Sequence, residues 1–241
     1  MPPDVRHVCP RVGHPQRARR RLFLAFASFV LAGISRQPGN WGAEQGTARQ
    51  GGLTIYQPAR MADLGPVAWP PEPIRTGRLV LRESEARDRA AFIELLASPE
   101  VATYLGGPRP RDALEREMPE VPERRPGHFV VDLDGAMIGQ IILRRAAGQR
   151  AAGQPELGYL FLPEAWGFGY AAEACAAALG WFDGELPGQP VVLFTQTANA
   201  RSMRLAAKLG FTEVERFEAW GAEQWFGMRS PDDGDDYLRT R

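Results

Sequence analysis

One stretch limits what this chain can fold into more than any other: PELGYLFLPEAWGFGYAAEACAAALGWF, Pro155 to Phe182. Glu156 to Leu162 is an apolar, β-prone run that Pro163 ends, and Ala171 to Phe182 is alanine-rich and helical in pattern. Between them, Gly167 and Gly169 let the backbone turn tightly and approach a ligand closely. A strand that enters a helix through such a turn leaves the first helical N–H groups without acceptors, where a phosphate can be held without a dedicated cation. A Gly-x-Gly pair alone is an ordinary tight turn. Its position between a strand and a helix gives it weight, and a second strand–helix unit, PVVLFTQTANARSMRLAAKLGF from Pro190 to Phe211, follows at βαβ distance.

The flanking sequence supplies the rest of an α/β domain. Arg78 to Glu83 alternates like a strand, and Ala86 to Ala97 carries a helical apolar face. Ser98 and Pro99 open a short helix, and Asp112 to Met118 is a further helical piece. His128 to Leu133 and Met137 to Leu143 are strands joined at Asp134-Gly135, a hairpin signal. Pro190 to Gln196 is a buried-type strand, and Ala200 to Leu209 a helix that Gly210 closes in left-handed geometry with Phe211 behind it. Glu213 to Glu218 and Gln224 to Met228 are the last two strands. Seven strands result, in a mixed α/β or α+β sheet flanked by helices.

The 241 residues carry 29 basic and 29 acidic side chains, but unevenly. Residues 1–60 hold nine arginines and two acidic residues, while the remainder is net acidic by seven. An acidic folded part argues against nucleic-acid binding and suits an amine substrate somewhat better. Two cysteines, Cys9 and Cys175, cannot build a disulfide framework, which makes a reducing, cytoplasmic compartment the default. His7, His14 and His128 show no metal-ligand spacing, so no metal is expected.

Arg17 to Arg21 followed by the apolar Leu22 to Ile34 looks like a secretory signal and is short for a membrane span. Residues 1–60 are thus a signal-like or poorly structured extension, read as an export signal, a weak tether or sequence outside the working protein. Residues 61–76 form a proline-rich lead-in, 77–230 the folded domain and 231–241 an acidic tail. No stable membrane association is expected, and monomer and homodimer stay open.

The segments ELGYLFLPEAWGFGYAAEA and TQTANARSMRLAAKLGF, in this order and spacing, resemble a GCN5-related N-acetyltransferase (GNAT) of the subgroup that includes ribosomal-protein alanine acetyltransferases. The resemblance spans residues 74 to about 229. It implies a mostly antiparallel seven-stranded sheet whose central strands splay apart, and acetyl-CoA as co-substrate. Phe161 and Leu162 match positions whose backbone pairs with the pantetheine arm. Trp166, Gly167, Phe168, Gly169, Tyr170 and Ala171 match the pyrophosphate loop, and Asn199 the asparagine that contacts the cofactor at the splay. Phe168 departs from the basic residue common there, leaving backbone dipoles to carry more of the phosphate binding.

Acetyl transfer to an amine needs a base or water path for the ammonium proton, a donor for the thioester oxygen and an acid for the leaving thiolate. Glu156, at the start of the central strand, is the candidate base or water-positioner; an exposed strand-end carboxylate is the bland alternative. Ser202, three residues after Asn199, matches the serine proposed to protonate the thiolate, against a local helix-start hydroxyl. Tyr159 and Tyr170 are alternative acids, and a backbone N–H of Leu160 to Leu162 is the candidate oxygen donor. Cys175 is expected in the core. The acceptor is a protein N-terminal amine or a small-molecule amine, its identity set near Tyr104 to Pro108 and the last hairpin. A noncatalytic acyl-CoA-binding module is the alternative on the same scaffold.

Overall fold

The computed structural model describes residues 64–147 and 149–231. The readings of residues 1–60 and of the acidic tail from residue 232 lie outside the described residues. Twelve helices and strands follow one another: β1 (Ile74–Arg75), β2 (Val80–Arg82), α1 (Arg89–Ala97), α2 (Arg111–Glu117), β3 (His128–Leu133), β4 (Ala136–Arg145), β5 (Pro155–Phe161), α3 (Tyr170–Glu185), β6 (Val191–Gln196), α4 (Ala200–Lys208), β7 (Thr212–Ala219) and β8 (Ala222–Arg229). They build one open sheet in the order β1-β2-β3-β4-β5-β6-β8-β7. The sheet has eight strands where the sequence predicts seven. The extra one is β1, two residues after Pro73 that pair antiparallel with β2. A proline-rich lead-in carries no periodicity from which so short an edge pairing could be read.

Every neighbour pair is antiparallel except β5 with β6. Alternation along the strands sorts side chains onto two faces. One face, with Phe129, Ile141, Leu157, Phe161 and Leu193, packs on α3 through Ala174, Cys175, Ala178, Leu179 and Phe182. The small residues bring α3 close to the sheet, and each fully buried large side chain contributes about 1.5–3 kcal/mol. The other face, with Val130 and Leu160, packs on α1 and α2 through Phe92, Leu95, Leu96 and Leu114.

Local signals explain the junctions. Asp134 (φ 52°) and Gly135 (φ 90°) turn β3 into β4 with two positive φ angles, as an Asp-Gly hairpin requires. Gly210 (φ 82°) ends α4, and Phe211 N–H then donates to Ala206 O at 3.0 Å while its ring enters the core. Ser98 Oγ accepts from Val101 N–H at 3.2 Å, but only a 3-10 turn, Val101–Tyr104, follows the capped start. At the buried end of β2, Arg82 donates to Asp88 at 2.7 and 2.9 Å and to Asp132 at 2.9 Å. Burial opposes the charge on Asp88, but the Arg82 bonds outweigh it and hold its pKa below the ordinary range.

Candidate active site

The parallel β5–β6 junction positions the site. These strands share a single paired position, Glu156 with Val192, and no pairing joins them beyond it. The sheet therefore opens between the second half of β5 and that of β6. Pleating decides which groups of β5 line this opening. Leu162 N–H donates to Ile138 O on the β4 side at 2.9 Å, so Leu160 and Gly158, in register with β4, turn the same way. Tyr159 and Phe161 turn their N–H and C=O groups toward β6. Phe161 C=O accepts the Trp166 indole N–H at 2.9 Å, and its N–H is directed into the opening. Gly139 opposite Phe161 permits this approach, since a Cβ there would lie 2.6 Å from the Phe161 ring.

Downstream of β5, a 3-10 turn (Pro163–Ala165) leads to Gly167 and Gly169, both left-handed at φ 89° and 81°. Gly169 is the N-cap of α3 and offers no side chain to its first turn. None of the backbone N–H groups from Gly167 to Ala171 finds an acceptor among the described residues. Together with the partial positive charge of the 16-residue helix α3, they form an anion cradle. Phe168 is 60% exposed and lies on the Tyr170 ring, 5.6 Å between centroids.

An arginine from far upstream braces the loop at Phe168. Arg78 donates to Phe168 O at 3.0 Å, lies over the Tyr170 ring at 4.6 Å, and pairs with Glu173 in the first turn of α3 at 2.6 Å. Glu173 also accepts from the Thr76 hydroxyl at 2.6 Å and from Arg78 N–H at 3.0 Å. Burial opposes ionisation of Glu173, but the Thr76 and Arg78 bonds outweigh it and lower its pKa. A second guanidinium, of Arg201, lies 4.7 Å over the Trp166 ring. Neither arginine is readable as part of the loop from sequence, because each belongs to a different element and meets it only in the fold.

A strand–cradle–helix unit beside an opened parallel pair is now accompanied by a match to known sequences. The Acetyltransferase (GNAT) domain matches residues 78–212. The chain belongs to the GNAT acetyltransferase family. It is therefore an acyltransferase, which leaves the noncatalytic alternative without support. The uncharacterized protein YkkB of Bacillus subtilis (strain 168) is 30% identical over 155 residues, 60% of this chain and 88% of its own. A GNAT-family acetyltransferase structure from Bacillus anthracis superposes with a TM-score of 0.56 at 22% identity, covering 67% of this chain and 99% of its own. A spermidine N-acetyltransferase from Vibrio cholerae, solved in complex with CoA and spermine, gives 0.52 at 18%, covering 66% and 99%. GNAT acetyltransferases use acyl-CoA, and the N–H cradle from Gly167 to Ala171 has the chemistry to hold its phosphates.

The remaining candidates of this GNAT domain fall on two sides of the sheet. Asn199 is the N-cap of α4, its Oδ1 accepting Ser202 N–H at 3.1 Å, a contact worth about 1 kcal/mol to the helix. This local use leaves the Asn199 amide N–H₂ to face other partners. The Tyr159 hydroxyl is buried and closes no hydrogen bond of normal geometry. Burial lifts its pKa, Cys175 adds to the rise, and the Ser202 hydroxyl opposes it. Tyr159 and Ser202 therefore sit together on the α3–α4 side. Cys175 is fully buried, and burial pushes its thiol pKa up, as suits a core residue.

Glu156 lies on the opposite face, across the register from Arg144, whose Nη2 approaches its carboxylate at 3.2 and 3.3 Å. The pair is mostly buried, with side chains 12% and 14% exposed. Among the described residues no helix is long and apolar enough to cross a membrane, and no group of His, Cys, Asp or Glu is arranged to hold a metal ion.

Proposed function

We propose that the chain transfers the acetyl group of acetyl-CoA to a primary amine by direct attack in a ternary complex. The observation that carries this reading is the alignment of two features on β5: the N–H cradle from Gly167 to Ala171 beyond its end, and the unpaired edge facing β6 before it. A phosphate-bearing thioester held at the cradle can run its amide arm along that edge toward Glu156. Tyr159 C=O and Phe161 N–H are the backbone groups that face such an arm, since Leu162 N–H is taken up by Ile138 O.

The roles then divide by face. Phe161 N–H is placed to donate to the thioester oxygen as it becomes negative. Ser202, beside Tyr159 on the α3–α4 side, supplies the proton to the leaving thiolate, and the buried Tyr159 hydroxyl holds or relays it. Glu156 acts from the other face by positioning the amine or a water that takes its proton, with Arg144 fixing the carboxylate. Joining amine and thioester in one opening supplies roughly 7–11 kcal/mol of the barrier reduction. The two segments that resemble ribosomal-protein alanine acetyltransferases support a protein α-amino acceptor; the CoA–spermine neighbour supports a small amine. A cytoplasmic location accompanies the acetyl-CoA reading.

The test is incubation of the full chain with acetyl-CoA and a panel of primary amines and N-terminal peptides, with detection of free thiol. Thiol release that depends on the amine is the expected result. Acetyl-CoA binding without amine-dependent release across the panel would overturn the reading.

A further inference from the structure

We infer that the acceptor is a small primary monoamine with an apolar or aromatic body, and not a polyamine. The inference rests on the acetyl-transfer reading and narrows its acceptor.

The acceptor side is the face of the opening away from α3 and α4. There Glu156, Gly158 and Leu160 of β5 face the same way as Val192 and Phe194 of β6. Gly158 bears no side chain and is only partly buried, and a Cβ there would meet only Ile142, at 3.8 Å. The opening thus reaches the backbone of β5. Its far wall is aromatic: Phe194 stacks on Phe226 with centroids 4.6 Å apart and planes 8° apart, and Phe217 meets it edge-on at 6.4 Å. Phe194 is only partly buried, with one ring face covered by Phe226. Beyond it, Gln196 Nε2 donates to Tyr104 O at 3.2 Å, tying the turn Val101–Tyr104 across the end of β6. A slot closed in this way suits a small molecule better than a polypeptide.

Charge decides against a polyamine. A polycation gains most where unpaired carboxylates meet its further ammonium groups. Glu156 of β5 and Glu215 of β7, both on this face, are engaged by arginines, Glu156 by Arg144 at 3.2 Å and Glu215 by Arg150 at 3.1 Å. Arg150 also covers the Phe217 ring at 3.9 Å. A second ammonium would have to displace a guanidinium or lie beside one. An apolar body meets Phe194 and Leu160 with no such penalty.

The full chain is assayed with acetyl-CoA and phenethylamine, methylamine, spermidine or an Ala-initiated peptide. Phenethylamine is expected to exceed spermidine and the peptide by tenfold or more in kcat/KM. Phe194→Ala should lower kcat/KM for phenethylamine about tenfold while leaving the methylamine rate and the KM for acetyl-CoA unchanged, and Phe194→Leu should retain most of the activity. Acetyl-CoA affinity measured on each variant separates a lost contact from a lost fold. Preference for spermidine or the peptide, or an unaltered phenethylamine-to-methylamine ratio in Phe194→Ala, overturns the acceptor class while upholding acetyl transfer. Failure of every amine to release thiol overturns both.

Discussion

The two ends of β5 are built on opposite principles. Beyond its C-terminal end, the donor cradle is made of main chain: two left-handed glycines, an unfilled first helical turn, and an arginine that braces the loop by bonding Phe168 O. Near its N-terminal end, the proposed acceptor face is made of side chains, with an ion pair between neighbouring strands and an aromatic wall from β6, β7 and β8. Main-chain recognition needs only local geometry and tolerates changes such as Phe168. Side-chain recognition is assembled from elements remote in sequence and can be retuned one residue at a time. One scaffold can therefore keep its donor fixed while its acceptor varies.

The largest expected effect tests the main-chain half of this contrast. Gly169→Asp forces a Cβ onto a position at φ 81° and places a carboxylate in the cradle. Acetyl-CoA affinity should fall more than 100-fold by calorimetry, equivalent to about 2.7 kcal/mol, with little change in thermal stability. Unchanged affinity would show that the cradle is not the donor site. A smaller effect is expected between the two ends: Ser202→Ala should lower kcat on the order of 100-fold, the lower end of what loss of a general acid costs, with the KM for acetyl-CoA changed little. Tyr159→Phe should fall in the same direction and by less if the hydroxyl only relays the proton. If Tyr159→Phe is the more damaging change, the two residues exchange roles; if both turn over normally, the acid lies elsewhere.

What the sequence made legible follows the same division. The strand–turn–helix unit, the Asp134-Gly135 hairpin and the Gly210 cap could be read because each rests on local backbone chemistry, and the structure has all three. The expectation for Cys175 held because an alanine-rich helix face allows little else. The edge strand Ile74–Arg75 was too short to show a period. Arg78, just before β2, has the pattern of an ordinary strand residue, and only the fold lays it beside the start of α3, 95 positions later at Glu173. Arg144 was likewise hidden: its pairing with Glu156 depends on the β4–β5 register, which no local pattern specifies. The division of candidates between faces, with Glu156 on one side and Tyr159 and Ser202 on the other, becomes visible only once strand alternation is fixed in three dimensions.

The smallest expected effect asks whether the donor end is wholly a main-chain device. Arg78 contacts the loop through Phe168 O and the Tyr170 ring, while Glu173 takes up much of its charge. It is therefore expected to act mainly as a brace, so Arg78→Ala should raise the KM for acetyl-CoA about 3–10-fold, near 1 kcal/mol, and leave kcat unchanged. Glu173 gives this a pH signature. Its pKa is lowered in the folded protein, so its contribution is complete above the ordinary glutamate value of about 4.3 and is lost as pH falls through the lower folded value. Thermal stability should fall over that acidic interval in the native protein, and Glu173→Gln should remove this part of the pH dependence while lowering stability at neutral pH. An Arg78→Ala variant with native KM would leave the cradle as backbone alone. A loss well above tenfold would make the Arg78 guanidinium a direct phosphate ligand, and the donor end would then rely on a side chain as the acceptor face does.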